Sequence, residues 1–257
     1  MNAAPVPRPP AEPPPAEPPL DKGPEAIRGM FARVAPAYDL LNHLLSGSLD
    51  HLWRWRAARA LALGGPRARP ALDLCCGTGD QAIALHRRGA RVAAADFCLP
   101  MVTRARHKFA RRRRARAAAP PPAPLVADAL TLPFAAGSFG AATVSFGLRN
   151  VVDLDAALAE LARVLAKGGE LAVLEFAVPR FAPLRALYLF YFRRLLPRIG
   201  RWISGDRGAY SYLPSSVLAF PQRDGFVERL WAAGFGDGVW QDLSGGVLCL
   251  YTARRAA

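Results

Sequence analysis

The stretch ALDLCCGTGD, Ala71 to Asp80, runs from a short apolar segment into a glycine turn and then into residues that open a helix. A strand, turn and helix in that order set outward-facing backbone amides at the carboxyl edge of an open α/β sheet, where small molecules bind. Gly77 and Gly79 can take backbone angles closed to other residues and let a ligand approach the main chain closely. Asp73 lies before the turn and Asp80 just after it. Two carboxylates there would repel a pyrophosphate and suit a nucleoside that carries positive charge and no phosphate, a description met by S-adenosyl-L-methionine. The run G-T-G-D-Q-A also fits the dinucleotide pattern G-x-G-x-x-A, and a tight structural turn is a third reading. The loop alone leaves all three open.

The elements that would position this loop follow at regular intervals. Asp80 to Arg88 reads as a helix, and Ala90 to Asp96 as a second buried strand. Asp96 falls 17 residues after Gly79, close to the spacing of roughly 20 at which an acid reaches ribose hydroxyls, with an N-cap on the next helix as the alternative. Leu125 to Ala127 gives a short third strand ending at Asp128-Ala129, where an acid would take the adenine amino group or simply close a turn. Phe139 to Phe146 is nearly all apolar, as a strand covered on both faces should be, and Ser145 stands near its end. It leads to Gly147-Leu148-Arg149-Asn150. Asp153 to Ala166 carries Leu154, Leu158, Leu161 and Leu165 at helical spacing, and Gly168-Gly169 should break that helix before a fifth strand, Leu171 to Phe176. Gly238 to Leu243 and Val247 to Thr252, about Gly245-Gly246, resemble a hairpin. The pattern predicts an α/β fold with a doubly wound, mostly parallel seven-stranded sheet and an antiparallel edge.

Composition limits what else the chain can be. Its 257 residues, 52% hydrophobic, are enough for one α/β domain with extensions. Ten of the 24 prolines lie in residues 1–24, which predicts a disordered tail ahead of a domain over 25–257. That domain divides into an amino-terminal helical extension at 25–65 and a substrate-side insertion at about 179–222. The tail has neither the apolar core of a secretory signal nor the arginine content of a mitochondrial transit peptide. The four cysteines form no C-x-x-C and the four histidines no metal spacing, so reduced thiols in the cytoplasm and no metal are expected. The net charge of +14 is concentrated: RARHKFARRRRAR, Arg104 to Arg116, holds seven arginines, Lys108 and no acid. A solvated helix face, an anionic membrane surface and RNA are the three readings, the last disfavoured because no aromatics interleave.

Three further signatures carry a resemblance. They are YDLLNHLLSGSLDHLW (Tyr38 to Trp53), SFGLRNVVD (Ser145 to Asp153) and RVLAKGGELAVLEF (Arg163 to Phe176). From about Phe31 to Tyr251 the chain resembles the ubiquinone/menaquinone biosynthesis C-methyltransferases, within the class I adenosylmethionine-dependent methyltransferases. The resemblance implies S-adenosyl-L-methionine as cofactor, contacted by Thr78, Asp96, Asp128, Ala129 and Ser145, beside Asp73, Gly77 and Gly79 of the loop. It also marks departures, above all Ser48 where the family usually has Gly, which puts the shape of the amino-terminal helices in question.

The activity so implied is methyl transfer from a sulfonium to a ring carbon of a polyprenyl quinol, a naphthoquinol, a benzoquinol or both. Such chemistry needs in-line positioning, exclusion of water and stabilisation of a ring oxygen as it becomes phenolate-like. Arg149 is the candidate for that oxygen; a structural ion pair with Asp153 or Asp155 is the alternative. His43 and His51 are candidate bases, or histidines packed on a helix. Phe181 to Trp202 clusters aromatics and leucines with Arg185, Arg193, Arg194, Arg198 and Arg201, as a prenyl-tail tunnel, a surface at the inner face of the membrane, or core would. A methyltransferase for another small molecule and a non-catalytic subunit of a quinone-synthesis assembly are the rival functions. Nucleic acid is not expected as a partner, and the oligomeric state is open.

Overall fold

The computed structural model describes residues 23–63, 68–112, 120–195, 198 and 208–256. Three helices come first: α1 (Pro24–Val34), α2 (Tyr38–Leu45) and α3 (Leu49–Arg59). Of the tail expected over residues 1–24, only Gly23 and Pro24 are described. Pro24 is the first residue of α1, where its missing N–H costs nothing, and residues 1–22 lie outside the described residues. Ser48 enters α3 at φ +63°, a left-handed conformation that glycine adopts freely and serine only with strain. The backbone itself explains why a glycine suits that position.

The sheet comprises β1 (Ala71–Leu74), β2 (Val92–Asp96), β3 (Ala123–Val126), β4 (Phe139–Ser145), β5 (Leu165–Phe176), β6 (Phe235–Leu243) and β7 (Leu248–Arg255), in the order β3-β2-β1-β4-β5-β7-β6. Strands β3 to β5 across that order are parallel, and β7 enters antiparallel between β5 and β6. The connecting helices are α4 (Asp80–His86), α5 (Leu99–Arg112), α6 (Leu154–Val164), α7 (Ala182–Phe190), α8 (Gly208–Ala219) and α9 (Asp224–Ala232). Asp153 caps α6 by accepting from the Ala156 amide at 3.0 Å.

One expectation about boundaries fails for a clear reason. Gly168-Gly169 does not separate helix from strand: β5 already starts at Leu165, opposite Phe139, and the pairing shifts before it resumes at Ala141 opposite Glu170. The glycines form that irregularity, with Gly168 at φ +70°. Apolar side chains cover both faces of the sheet. Leu72, Leu74, Val144, Leu158 and Leu161 belong to one cluster, and Val92, Ala94, Ala141, Ala172 and Leu174 to the other. The site thus rests on strands fixed from above and below, with their carboxyl ends free to carry polar groups.

Candidate active site

At those strand ends lies a cleft whose wall includes Gly77, Asp96, Phe97, Met101, Asp128, Ala129 and Ser145, closed on one side by Pro24, Ile27 and Phe31 of α1 and by Tyr38. Gly77 sits at φ +55° and its amide donates to Asp96 Oδ2 at 2.8 Å, while the Cys98 amide donates to Oδ1 at 2.9 Å. Asp96 therefore ties the glycine turn to the turn before α5 while standing in the cleft wall, and each oxygen keeps a lone pair for a ligand. Burial pushes its carboxyl up, and the two amides oppose that rise. Asp128 accepts from the Leu130 amide at 2.9 Å in a tight turn, and Ala129 is buried beside it. Ser145 is buried and its hydroxyl has no partner, so the cleft holds a polar group that a ligand can satisfy.

Three of the loop residues stand behind this wall. Asp73 is fully buried in β1, where Thr143 Oγ1 donates to it at 3.1 Å, and burial pushes its carboxyl up to about 7. Thr78 donates to Asp39 of α2 and accepts from Lys108 Nζ at 3.1 Å. Gly79, at φ +90°, starts α4 where any Cβ would lie 2.4 Å from the Phe109 ring, so it permits the close approach of α4 to α5. None of the three borders the cleft.

Asp80 also departs from its expected place at the cofactor. Lys108 turns inward from the arginine-rich helix and reaches Asp80 at 2.9 Å and Asp39 at 2.6 Å. Burial pushes the Asp80 carboxyl up, but Lys108, Arg54 and His43 outweigh it and hold it below the usual range. The acids that face the cleft are instead Asp96 and Asp128. Arg104, Arg106 and Arg111 of the same helix are exposed, and residues 113–119 of the run lie outside the described residues.

A second cavity, of about 620 Å³, lies against the first. Its wall is almost wholly apolar, from Met30, Leu41, Leu45, Trp53, Phe176, Tyr188, Phe192 and Leu213. Phe31, Tyr38, Phe146 and Asn150 border both spaces. Phe146 reaches that position at φ +63°, and the following Gly147 leaves room for Cys75, whose Cβ would lie 2.3 Å from an added methyl. The thiols of Cys75 and Cys76 are pushed well up by burial, so they serve as small packing groups.

Arg149 lines the apolar cavity, as a residue at the end of β4 should, yet its partner is neither Asp153 nor Asp155. It pairs with Glu175 of β5 at 2.9 Å, donates to the Phe146 carbonyl, and lies 5.5 Å from the centre of the Phe176 ring. Asp153 caps α6, and Asp155 pairs with Arg229. Arg149 Nε is buried without a hydrogen-bond partner.

His43 and His51 stack at 4.4 Å between ring centres, and His43 Nδ1 bonds Asp50 at 3.0 Å. Of these three only Asp50 borders the cavity. Burial pushes the Asp50 carboxyl up, and His43, Arg54 and His51 together hold it below the usual range. Ligand atoms of the three come within 4.8 Å of one another, though the sequence spacing suggests no metal site. The Arg54 guanidinium, with Nε 3.8 Å from Asp50 Oδ2, already supplies positive charge there. Sequence reasoning missed Tyr38, Asp50, Arg54 and Glu175 as cavity or pairing residues, since only the packing of α2 and α3 on β4 and β5 joins them.

Residues 20–255 match the model of the ubiE/COQ5 methyltransferase family. The chain belongs to this family. Among similar proteins, a demethylmenaquinone methyltransferase of Parafrankia sp. (strain EAN1pec) is 44% identical, with 92% of this chain and 96% of that protein covered. One from Thermus thermophilus is 47% identical over 80% and 91%. A ubiquinone/menaquinone biosynthesis C-methyltransferase UbiE of Geobacter sp. (strain M21) is 41% identical over 91% and 98%. Solved structures share the fold: a possible histamine N-methyltransferase from Thermotoga maritima, 20% identical, with 89% of this chain and 99% of that one covered, has a TM-score of 0.59. The [4+2]-cyclase SpnF, 19% identical over 90% and 96%, reaches 0.62. Since a cyclase shares the architecture, the fold alone does not name a reaction. Family membership makes this chain a methyltransferase with S-adenosyl-L-methionine as its cofactor.

Proposed function

We propose that the chain methylates a ring carbon of a polyprenyl quinol, the naphthoquinol of menaquinone synthesis first and the corresponding benzoquinol as a second acceptor. The observation that carries this reading is the shared wall of Phe31, Tyr38, Phe146 and Asn150 between a polar-rimmed cleft and a large apolar cavity. A donor on one side and a greasy acceptor on the other would meet there with water excluded. Relatives at 44% and 47% identity, named demethylmenaquinone methyltransferases, support the naphthoquinol.

The residues present suit the cofactor. Asp96 would hold the ribose hydroxyls, Asp128 and Ala129 the adenine edge, and Ser145 the polar group its free hydroxyl needs, with Gly77 allowing close approach. When bound, the cofactor supplies an electrophilic methyl on sulfur. Asp73, Thr78 and Gly79 act one layer back by holding the loop, through Thr143, the Asp39–Lys108 pair and Phe109 respectively. Arg149, fixed by Glu175 and the Phe146 carbonyl in the cavity wall, would donate to a ring oxygen and stabilise its charge as the neighbouring carbon becomes nucleophilic. It does so as a donor, since a guanidinium stays protonated.

The amino-terminal helices, α7, residues 191–195 and α8 would form the acceptor's housing. Leu187 and Phe190 are 63% and 56% exposed yet also border the cavity, and Leu40 and Leu44 of α2 are 62% and 58% exposed. Arginines 185, 194 and 198 accompany them. That combination suits contact with an anionic lipid surface from which a prenyl chain can enter. Among the described residues no helix is long and apolar enough to cross a membrane. The purified chain, given labelled S-adenosyl-L-methionine and each demethylated quinol, should yield the ring-methylated product by mass. Absence of labelled product from both quinols would overturn the reading.

A further inference from the structure

Two buried arginines stand in the wall of the apolar cavity, and Arg149 accounts for only one. The other, Arg54, belongs to α3, one residue past the amino-terminal signature, and is 8% exposed. Its guanidinium carbon lies 5.2 Å from the centre of the Phe146 ring. Its Nε is buried without a hydrogen-bond partner, and Asp50 Oδ2, at 3.8 Å, is too far to accept from it. Arg149 repeats the arrangement on the neighbouring ring: it lies over Phe176, pairs with a buried carboxylate and keeps an unpartnered Nε. The Phe146 and Phe176 ring centres are only 5.0 Å apart.

Burying a guanidinium with a donor left over is costly, and a nearby carboxylate answers its charge but not its geometry. Were Arg54 present only to neutralise Asp50, the pair would close to hydrogen-bond distance. Asp50 is instead held by His43 Nδ1 and Ser46 Oγ, both at 3.0 Å, which leaves the guanidinium beside the cavity. An apolar cavity with a few placed donors is the usual form of a site that reads the polar substituents of a greasy ligand.

We propose that Arg54 is a second substrate-contacting residue, which donates to the quinol oxygen opposite the one served by Arg149. The two arginines, each over one ring of the Phe146–Phe176 pair, grip the ring by both oxygens. That grip fixes which carbon is turned toward the shared wall. The Asp50–His43 pair positions Arg54. This inference rests on the quinol reading above.

The test compares two acceptors in wild type, Arg54→Gln and Arg54→Lys. One is demethylmenaquinol. The other is a 3-prenyl-1-naphthol, which keeps the hydroxyl beside the acceptor carbon and lacks the one beside the prenyl chain. For wild type, loss of that hydroxyl should lower kcat/KM by on the order of 10- to 100-fold, the value of a hydrogen bond to a charged group. Arg54→Gln should lower kcat/KM for the quinol by a similar factor and leave that for the naphthol unchanged. Arg54→Lys should recover part of the loss, with S-adenosyl-L-methionine affinity by calorimetry equal in all three. Equal losses on both acceptors, or none on the quinol, would overturn the assignment. If the variants do not fold, wild type alone decides, because equal kcat/KM for the two acceptors also overturns it. Wild type inactive on both acceptors refutes the quinol reading instead.

Discussion

Replacing Asp73 by Asn should change how stability depends on pH, by an amount the burial of this carboxyl sets. Asp73 is fully buried and its carboxyl is pushed up to about 7 from an ordinary value of 3.8. One oxygen accepts from Thr143, the other has no partner, and the Arg54 charge offsets only part of the cost of burial. An acid with a raised folded-state value holds its proton more tightly when folded, so its contribution is complete below pH 3.8 and is lost as pH rises toward 7. Between pH 5 and pH 8 the wild type should lose about 2.5 kcal/mol of unfolding free energy through this one group. Asn cannot titrate. It carries a constant cost of about 1–3 kcal/mol if its amide lacks an acceptor, and that cost does not vary with pH. Urea unfolding of both proteins at pH 5, 6, 7 and 8 gives the difference directly. It should move in favour of Asp73→Asn by about 2.5 kcal/mol across the range. A difference independent of pH would refute the reasoning and place an ionised carboxylate behind the glycine loop.

Arg149→Met should cost about 3–5 kcal/mol in urea unfolding by leaving Glu175 buried and unpaired, whereas Arg149→Met with Glu175→Gln should regain most of the stability and none of the methyl transfer. Gly147→Ala puts a methyl 2.3 Å from Cys75 Cβ; a loss of about 1–3 kcal/mol and weaker S-adenosyl-L-methionine binding by calorimetry are expected. The protein should float with vesicles containing anionic lipid, less so at high salt, and Leu187→Asp with Phe190→Asp should abolish flotation while leaving the unfolding free energy from urea titration within about 0.5 kcal/mol.

The glycine loop, the strand ends and the order of elements were legible in the sequence because each follows from local rules. Alternation of apolar strands with helices of leucine spacing fixes an α/β sheet, and Gly77, Asp96, Asp128 and Ser145 reach the cleft because they stand at strand ends. The charge argument for the cofactor rested on two acids that do not line the cleft. It used Asp73 and Asp80; Asp73 is buried against Thr143 and Asp80 is paired with Lys108, while Asp96 and Asp128 face the cleft. Local rules also fail for ion pairs. Arg149 has Asp153 four residues away, yet it pairs with Glu175, because β4 and β5 run side by side and Asp153 is occupied in capping α6. Arg54 gives no signal in the sequence, since nothing local distinguishes it from a solvated helix arginine; its burial depends on α3 lying against the sheet.

Helix α1 is a party wall between two rooms. Pro24 and Ile27 face the cleft, Met30 and Val34 face the apolar cavity, and Phe31 faces both. Such a partition cannot be moved for one tenant alone: whatever the donor does to it in settling, the acceptor feels, and the reverse. Because coupling free energy is reciprocal, any factor by which the bound donor sharpens affinity for the quinol must reappear as the same factor in the other direction.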